Sequence, residues 1–329
     1  MANGKTRKHD ETDDSQSPAA PSPKRAHLDA APSIFTKLGL PMTEQLQNSY
    51  TYISPLPPTT PTDTYVLGVD EAGRGPVLGP MVYAVSFCKE ASYDTLKTVG
   101  FADSKQLTEA KRDSLFAQMQ TEAMRQYAGW AIRCLSPTEI SQCMLQKSKY
   151  NLNSLAHDAT IGLIREVIGK GINVTRVFVD TVGPPDSYQR KLAQVFPGIE
   201  VTVAKKADSL YPIVSAASIC AKVPRDAHLS NWVFEEGVQG VSRVYGSGYP
   251  GDPNTVKWLK EHVDAVFGYP NIIRFSWSTC VKLLEEHAAP VVWPEDEEPG
   301  YGSLKFNNAG RHRSKFFSRK RPLVLSSAI

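Results

Sequence analysis

Cysteine is scarce in this chain, and the few that occur lack the spacing used by disulfide frameworks and zinc sites. The 329 residues include five cysteines, an odd number, and no two of them form a CxxC pair. Disulfide-stapled secreted domains and zinc sites both rely on regularly spaced cysteines. The sequence therefore argues against both and favours a reducing compartment.

Long apolar runs are also missing. No stretch approaches the roughly 20 apolar residues that a membrane helix needs, and the N-terminal MANGKTRKHDETDD has no apolar core of a secretory signal. We expect an intracellular protein without a membrane segment. Short basic pieces at 5–8 and 24–25 predict a nuclear location as a split localisation signal, although a merely solvated tail explains them equally well.

The middle of the chain has no excess of charge of either sign. Of the 37 basic and 34 acidic residues, six of each lie in 1–60, and seven basic and four acidic residues lie in 295–329. The region between them carries 24 of each sign. Affinity of this region for nucleic acid must therefore come from local clusters of charge, whereas the basic end of the chain is a candidate nucleic-acid or nuclear-targeting segment, or an inert tail.

Nucleotide-binding glycine loops are absent too. The glycine-rich segment GVDEAGRGPVLGP (68–80) has GxGxxxG spacing, an apolar run follows it where a dinucleotide fold needs a helix, and GxxxxGK[ST] occurs nowhere. These observations exclude the dinucleotide-binding and P-loop classes.

What the chain does contain is an ordered centre between two polar tails. Residues 1–62 are rich in Pro, Ser and Thr, a composition that predicts disorder. Residues 63–240 alternate predicted strands and helices and form the predicted catalytic domain, and residues 241–294 predict a helical extension. Residues 295–329 are acidic and then basic, and they predict a second disordered tail. The alternation predicts an α/β fold with a mixed sheet, because the first two strands are joined by a short hairpin-like connection. Predicted strands cover 65–70, 81–88, 130–135, 175–180 and 199–208, and predicted helices cover 108–126, 151–171, 186–196, 211–235, 253–267 and 278–287.

Four acidic residues stand at the ends of apolar runs: Asp70 and Glu71, Asp180, and Asp208. If their strands are neighbours, the carboxylates converge beyond the ends of the sheet, where Mg²⁺ or Mn²⁺ would relieve their repulsion. Two such ions suit phosphodiester hydrolysis. Strand neighbours point to opposite faces, so Asp70 and Glu71 share a site only if the strand breaks, which Gly73 permits. Asp208 as a helix N-cap and Asp180 as a turn opener are equally good alternatives.

At this point the chain resembles a known family over about 65–290. The motifs are GVDEAGRGPVLGP, DSK (103–105), KYNLNSL (149–155), VDTVGPP (179–185), KADSLYPIVSAASICAKVPRD (206–226) and YGSGYP (245–250). They are similar to those of type 2 ribonuclease H, the ribonuclease HII family, and most similar to the catalytic subunit of its eukaryotic complexes.

The resemblance implies an α/β, ribonuclease H-like mixed central sheet flanked by helices, with a helical C-terminal extension. It implies a metal-dependent endoribonuclease that hydrolyses RNA in RNA/DNA hybrids and incises 5′ of single ribonucleotides in duplex DNA. Primer removal during DNA replication and ribonucleotide excision repair would be its uses. It also implies two accessory protein subunits. The alternatives are a non-catalytic hybrid-binding or scaffold protein, and another nuclease or integrase of the same fold.

By motif position the resemblance also assigns site residues. The metal ligands, for Mg²⁺ or Mn²⁺ in a two-metal mechanism, would be Asp70, Glu71, Asp180 and Asp208. The ribose 2′-hydroxyl would be recognised by the backbone of Gly73, Arg74 and Gly75 and by the Tyr249 side chain. The phosphate contacts would be Lys105, Asn151 and Arg225.

The substrate-binding assignments each have a plainer alternative. Without the family, Tyr249 is a half-buried tyrosine in a glycine-rich loop, Lys105 a solvated lysine and Asn151 a helix N-cap. Arg225 would be one charge on a helix face, and Pro224 before it is unexpected in a helix interior.

Overall fold

A computed structural model describes residues 46–101, 107–148, 150–181, 183–234 and 240–290. Its strands are β1 Tyr50–Ile53, β2 Tyr65–Ala72, β3 Met81–Lys89, β4 Ala128–Leu135, β5 Val174–Asp180 and β6 Glu200–Ala204. Its helices are α1 Tyr93–Thr98, α2 Glu109–Met119, α3 Glu122–Arg125, α4 Pro137–Leu145, α5 Leu152–Gly169, α6 Pro185–Val195, α7 Ala207–Leu210, α8 Pro212–Ser230, α9 Pro253–Glu261 and α10 Ser278–His287.

A mixed six-stranded sheet in the order β1-β4-β3-β2-β5-β6 organises the described chain. In this order, each pair of neighbours among β1, β4, β3 and β2 is antiparallel, whereas β2, β5 and β6 pair parallel to one another. Val69 pairs with Val179, one residue before the carboxylates of Asp70 and Asp180. The fold thus brings two distant acidic residues to the same edge of the sheet, as predicted.

Both faces of the sheet are covered by helices. The central helix α8 packs across β2 and β3, while α5 packs on the other face against β3 and β4 and α6 packs against β6. The alternation of a strand is visible along β2, since Val66 joins the core under α8 and Leu67 and Val69 join the opposite core. Strands buried on both faces explain the continuous apolar character of β2 and β3.

Gly68 is the point of closest approach between β2 and the start of α8. A β-carbon at this position would lie 2.5 Å from the carbonyl carbon of Ile213 and 2.6 Å from the amide nitrogen of Val214. Backbone atoms cannot yield as a side chain can, so Gly68→Ala must push the central helix off the sheet. We expect it to lower the free energy of unfolding by about 1–3 kcal/mol, measured by urea denaturation.

Gly162 provides the matched control for this prediction. It lies within α5, and a β-carbon there would meet no atom within 4 Å. Gly162→Ala is expected to be neutral or stabilising by up to about 1 kcal/mol, because alanine favours helix more than glycine does. Equal stability of both variants would contradict the close packing at Gly68.

Several predicted boundaries need correction. Tyr50–Ile53, within the tail predicted to be disordered, forms the edge strand β1 beside β4. The strand predicted over 199–208 ends at Ala204, and Asp208 lies instead in the one-turn helix α7. Lys206 starts that helix with a left-handed backbone (φ 57°), which apolar alternation does not reveal.

The helical region predicted to begin at residue 241 shares the core of the sheet domain. Trp258 and Leu259 of α9 and Ile272 and Ile273 beyond it belong to the same buried cluster as the residues under α8. The described residues up to Ala288 form one compact unit. Helix α8 continues through Pro224, and the short helices α1 and α4 are additions to the prediction.

In the described part of the chain, no helix is both long and apolar enough to cross a lipid bilayer.

Candidate active site

A cleft opens at the carboxyl ends of β2 and β5, between α8 and the segment that precedes α10. Three of the four predicted acidic residues and the whole glycine turn line it. Its walls are formed by Asp70, Glu71, Ala72, Gly73, Arg74, Gly75, Arg112, Met144, Leu152, Asp180, Ser218, Lys222, Tyr249, Ser276 and Trp277.

Asp70 lies at the bottom of this cleft and is 6% exposed. Its Oδ1 accepts a hydrogen bond from the amide of Glu71 at 2.7 Å, and its carboxylate also bonds to Ser218 of α8. Burial above all, and then the charges of Glu71 and Asp180, raise the pKa of Asp70 well above its usual range. Such a carboxylate cluster favours a bound cation.

Glu71 lines the cleft although β2 does not break there. The strand continues to Ala72, with Glu71 opposite Tyr83 of β3, so the expected break at Glu71 is wrong. Its side chain also borders a smaller cavity on the other face of the sheet, beside His157 and Tyr188. Both carboxylates border the cleft because it lies at the end of the strand, where the two faces meet.

Asp180 and Asp208 are linked through the start of α7. Asp180 closes β5, and its Oδ1 accepts from the amide of Ala207 at 2.8 Å. Asp208, the residue after Ala207, is 3% exposed. Its Oδ1 accepts a hydrogen bond from the amide of Ser209 at 3.1 Å. It is not among the residues that line the cleft. The N-cap alternative for Asp208 does not hold, because Lys206 is the N-cap of α7 and Tyr211 is the N-cap of α8.

The donor chemistry of the cleft fits a hard divalent cation. Its described lining contributes carboxylates from Asp70, Glu71 and Asp180 and contains no cysteine or histidine. In the described ranges, no group of three or more acidic, histidine or cysteine side chains is already arranged to hold a metal ion. Water or substrate oxygens would supply the further ligands of such an ion.

The glycine turn borders the acidic cluster and lines the same cleft. Gly73 has φ 78°, and a β-carbon there would lie 2.6 Å from the carbonyl oxygen of Pro80 and 3.0 Å from Nε of Arg225. Only glycine takes this conformation and this space without strain. Tyr249, 53% exposed, faces the turn: a β-carbon on Gly75 would lie 2.9 Å from its Cε1. The turn and the predicted tyrosine therefore form one surface.

The Arg74 side chain lies between the two cavities. Its guanidinium donates to the hydroxyl of Tyr83 at 3.2 Å and to Oδ1 of Asn153 at 2.5 Å. These bonds anchor the side chain to β3 and α5.

The predicted phosphate contacts lie in three different settings. Lys105 falls outside the described residues. Asn151 caps α5, accepting from the amides of Asn153 and Ser154 at 2.9 and 3.0 Å. Arg225 is only 6% exposed, pairs with Asp226 at 2.9 Å, and is not part of the cleft wall.

Cationic and polar residues missed by sequence reasoning complete the cleft. Ser218 and Lys222 are one turn apart on α8, and Lys222 forms an ion pair with Asp226 at 3.0 Å. Their i, i+4 spacing was the available signal. Arg112 and Trp277 also line the cleft but come from segments with no such pattern.

A mixed sheet with carboxylates at the ends of adjacent parallel strands, covered by helices, defines the ribonuclease H-like class of fold. A solved ribonuclease H2 from Pyrococcus horikoshii OT3 has this architecture, with a TM-score of 0.55 and 32% identity, over 68% of this chain and 98% of that one. The predicted fold class is confirmed.

The chain belongs to the ribonuclease HII family. The family model for ribonuclease HII matches residues 67–280. The A subunit of ribonuclease H2 from Bos taurus is 55% identical over 247 residues, covering 75% of this chain and 82% of the relative. The Homo sapiens protein of the same name is 53% identical over 252 residues, covering 77% and 83%. The chain is therefore a ribonuclease H enzyme, and the non-catalytic alternative is not favoured.

Proposed function

We propose that this cleft hydrolyses the RNA strand of RNA/DNA hybrids and incises 5′ of single ribonucleotides in duplex DNA, leaving 3′-hydroxyl and 5′-phosphate ends. The observation that carries the proposal is the position of buried Asp70, beside Glu71 and Asp180 in a cleft that the glycine turn also lines. Charged ligands for a cation and a backbone surface for a ribose thus border the same space. Mapping both product ends on a labelled duplex with one ribonucleotide tests it.

The acidic cluster would hold the divalent ions, Mg²⁺ or Mn²⁺, through Asp70, Glu71, Asp180 and Asp208. When bound, such ions supply charge stabilisation at the attacking and leaving oxygens of a phosphodiester. Because the described carboxylates are not already arranged as a complete ligand set, we expect substrate phosphate oxygens to complete it, as is common for Mg²⁺. Asp208 would join the cluster beside Asp180, because the residue before it, Ala207, donates its amide to the carboxylate of Asp180.

The turn at 73–75 would select for RNA. Main-chain groups can approach a 2′-hydroxyl only where no side chain intervenes, and that hydroxyl distinguishes RNA from DNA. Tyr249 would contact the 2′-hydroxyl and stack on the following deoxyribose. Its exposed ring faces Gly75, which supports this position.

The cations around the cleft would hold the substrate backbone. Lys222 and Arg112 line the cleft, and Lys105 and Asn151 remain proposed phosphate contacts. Burial of Arg225 against Gly73 favours support of the turn over direct contact with a phosphate.

We expect the active form to be a complex of this chain with two accessory subunits, acting in the nucleus in DNA replication and ribonucleotide excision repair. The names of the relatives, which are subunits, support an assembly. Cleavage measured with and without the accessory subunits tests this expectation, and full activity of the isolated chain would contradict it.

Asp70 also predicts how pH and metal affect stability. Because its pKa is raised in the folded state, the metal-free folded protein binds more protons than the unfolded chain between the two pKa values. Its stability therefore falls as pH rises through that window. In EDTA at neutral pH, Asp70→Asn should raise the melting temperature by about 2–4 °C for each kcal/mol of burial cost and charge repulsion removed.

Addition of Mg²⁺ or Mn²⁺ should reverse the order of the melting temperatures of the wild type and Asp70→Asn. The ion should raise the melting temperature of the wild type and leave that of Asp70→Asn nearly unchanged, as scanning calorimetry would detect. Equal shifts in both proteins would contradict the assignment of Asp70 as a ligand.

A further inference from the structure

Two side chains about 200 positions further along the chain bind every carbonyl of the glycine turn. Arg274 donates from Nη2 to the carbonyl oxygen of Gly73 at 2.6 Å and from Nη1 to that of Arg74 at 3.1 Å. Trp277 donates from Nε1 to the carbonyl oxygen of Gly75 at 3.1 Å. The turn is therefore held in place by the segment before α10.

This pair is itself rigidly placed. Arg274 is fully buried, donates from Nε to the carbonyl of Gly79 at 2.9 Å, and its guanidinium carbon lies 4.9 Å from the Trp277 ring centroid. Burial and the neighbouring Arg225 lower the pKa of Arg274 to about 9, so it stays charged at neutral pH. A charged donor on a neutral carbonyl makes a stronger hydrogen bond than a neutral one.

Fixing the carbonyls also fixes the amides. In a planar trans peptide, the carbonyl of one residue and the N–H of the next point in opposite directions. With the carbonyls of Gly73 and Arg74 directed at Arg274, the N–H groups of Arg74 and Gly75 point away from it. The third carbonyl precedes Pro76, which has no N–H.

We propose that Arg274 and Trp277 are positioning residues: Arg274 aims the amides of Arg74 and Gly75, Trp277 fixes the carbonyl at the end of the turn, and together they set the preference of the enzyme for a ribonucleotide. This inference rests on the proposed role of the turn in recognising the 2′-hydroxyl. It goes beyond that role by assigning the selectivity to a distant segment of the chain.

Trp277→Phe tests the inference in the assembled enzyme, because it keeps an aromatic ring beside Arg274 and removes the N–H donor together with part of the ring. We expect kcat on a duplex with one ribonucleotide to fall about fivefold, the usual effect of one hydrogen bond, with KM changed by less than about twofold. Arg274→Lys, which removes the forked geometry, should lower kcat about a hundredfold.

The matched control is Trp232→Phe. Trp232 is a buried tryptophan whose Nε1 donates to Oδ1 of Asn271 at 3.2 Å, away from the turn. We expect the Trp232→Phe substitution to leave kcat unchanged. Trp277→Phe activity equal to that of Trp232→Phe would overturn the inference, as would a loss that follows melting temperature alone in both variants.

The outcome also separates this inference from the proposed role of the turn. If the wild type cuts a DNA duplex without any 2′-hydroxyl equally well, the role of the turn itself fails. If Gly73→Ala loses cleavage and Trp277→Phe does not, only the positioning role fails. Should Arg274→Lys not fold, Trp277→Phe still decides the question.

Discussion

Asp70→Asn is expected to reduce cleavage of a duplex with one ribonucleotide by about a thousandfold or more. The substitution keeps the size of the side chain and removes the charge at the bottom of the cleft, where Asp70 is 6% exposed. Charge stabilisation by a bound ion lowers the activation barrier by several kcal/mol, and about 4 kcal/mol corresponds to a thousandfold in rate. Single-turnover kinetics in saturating Mg²⁺ would measure the loss.

Asp94→Asn is the control for this experiment. Asp94 is exposed on α1 and pairs with Lys97 on its own helix at 2.7 Å. Its loss should leave the rate unchanged, since a surface pair of this kind contributes little. Cleavage by Asp70→Asn at more than about a tenth of the wild-type rate would refute the assignment of the metal ligands.

Gly73→Ala is expected to have the second largest effect, a loss of about a hundredfold in kcat/KM. The added methyl group meets the carbonyl oxygen of Pro80 at 2.6 Å, and the backbone at φ 78° is unfavourable for alanine. The turn must shift, and a misplacement of about 1 Å near the reacting atoms costs about a hundredfold.

Gly75→Ala provides the comparison within the same turn. Its β-carbon would meet the exposed ring of Tyr249 at 2.9 Å, and a side chain at the surface can move aside where a carbonyl cannot. We expect about a tenfold loss, together with a weaker preference for the ribonucleotide. Equal losses at both positions would mean that the turn conformation is not what matters.

The central part of the fold could be predicted from the sequence because its signals are local. The apolar runs of β2, β3 and β5 end at polar residues, which placed Asp70 and Asp180 at strand ends. That β2 and β5 are neighbours, with Val69 opposite Val179, was the condition that the sequence left open and the structure supplies.

Features set by tertiary contacts could not be predicted in this way. The edge strand Tyr50–Ile53 lies in a polar segment and forms because β4 offers an unpaired edge. The position of Asp208 depends on the left-handed backbone of Lys206, which starts the helix that carries it. Arg274 gave no sequence signal, since the carbonyls that it binds lie about 200 residues earlier in the chain.

The family motifs indicated a role for each matching residue, but they did not indicate which atoms surround that residue in the fold. Arg225 is the example: its motif position indicated a phosphate contact, while packing buries it behind Gly73 and leaves Lys222, one helical turn earlier on α8, at the cleft. A one-dimensional pattern does not state which side of a helix faces a site that distant segments complete.

The most direct measurement compares two duplexes that differ by one oxygen atom. One carries a single ribonucleotide, and the other carries the deoxyribonucleotide at the same position; both are incubated with the assembled enzyme in Mg²⁺. We predict one incision, 5′ of the ribonucleotide, in the first duplex, and no incision in the second or in EDTA. Equal cutting of both duplexes, or cutting that persists in EDTA, would contradict a metal-dependent site that recognises the 2′-hydroxyl.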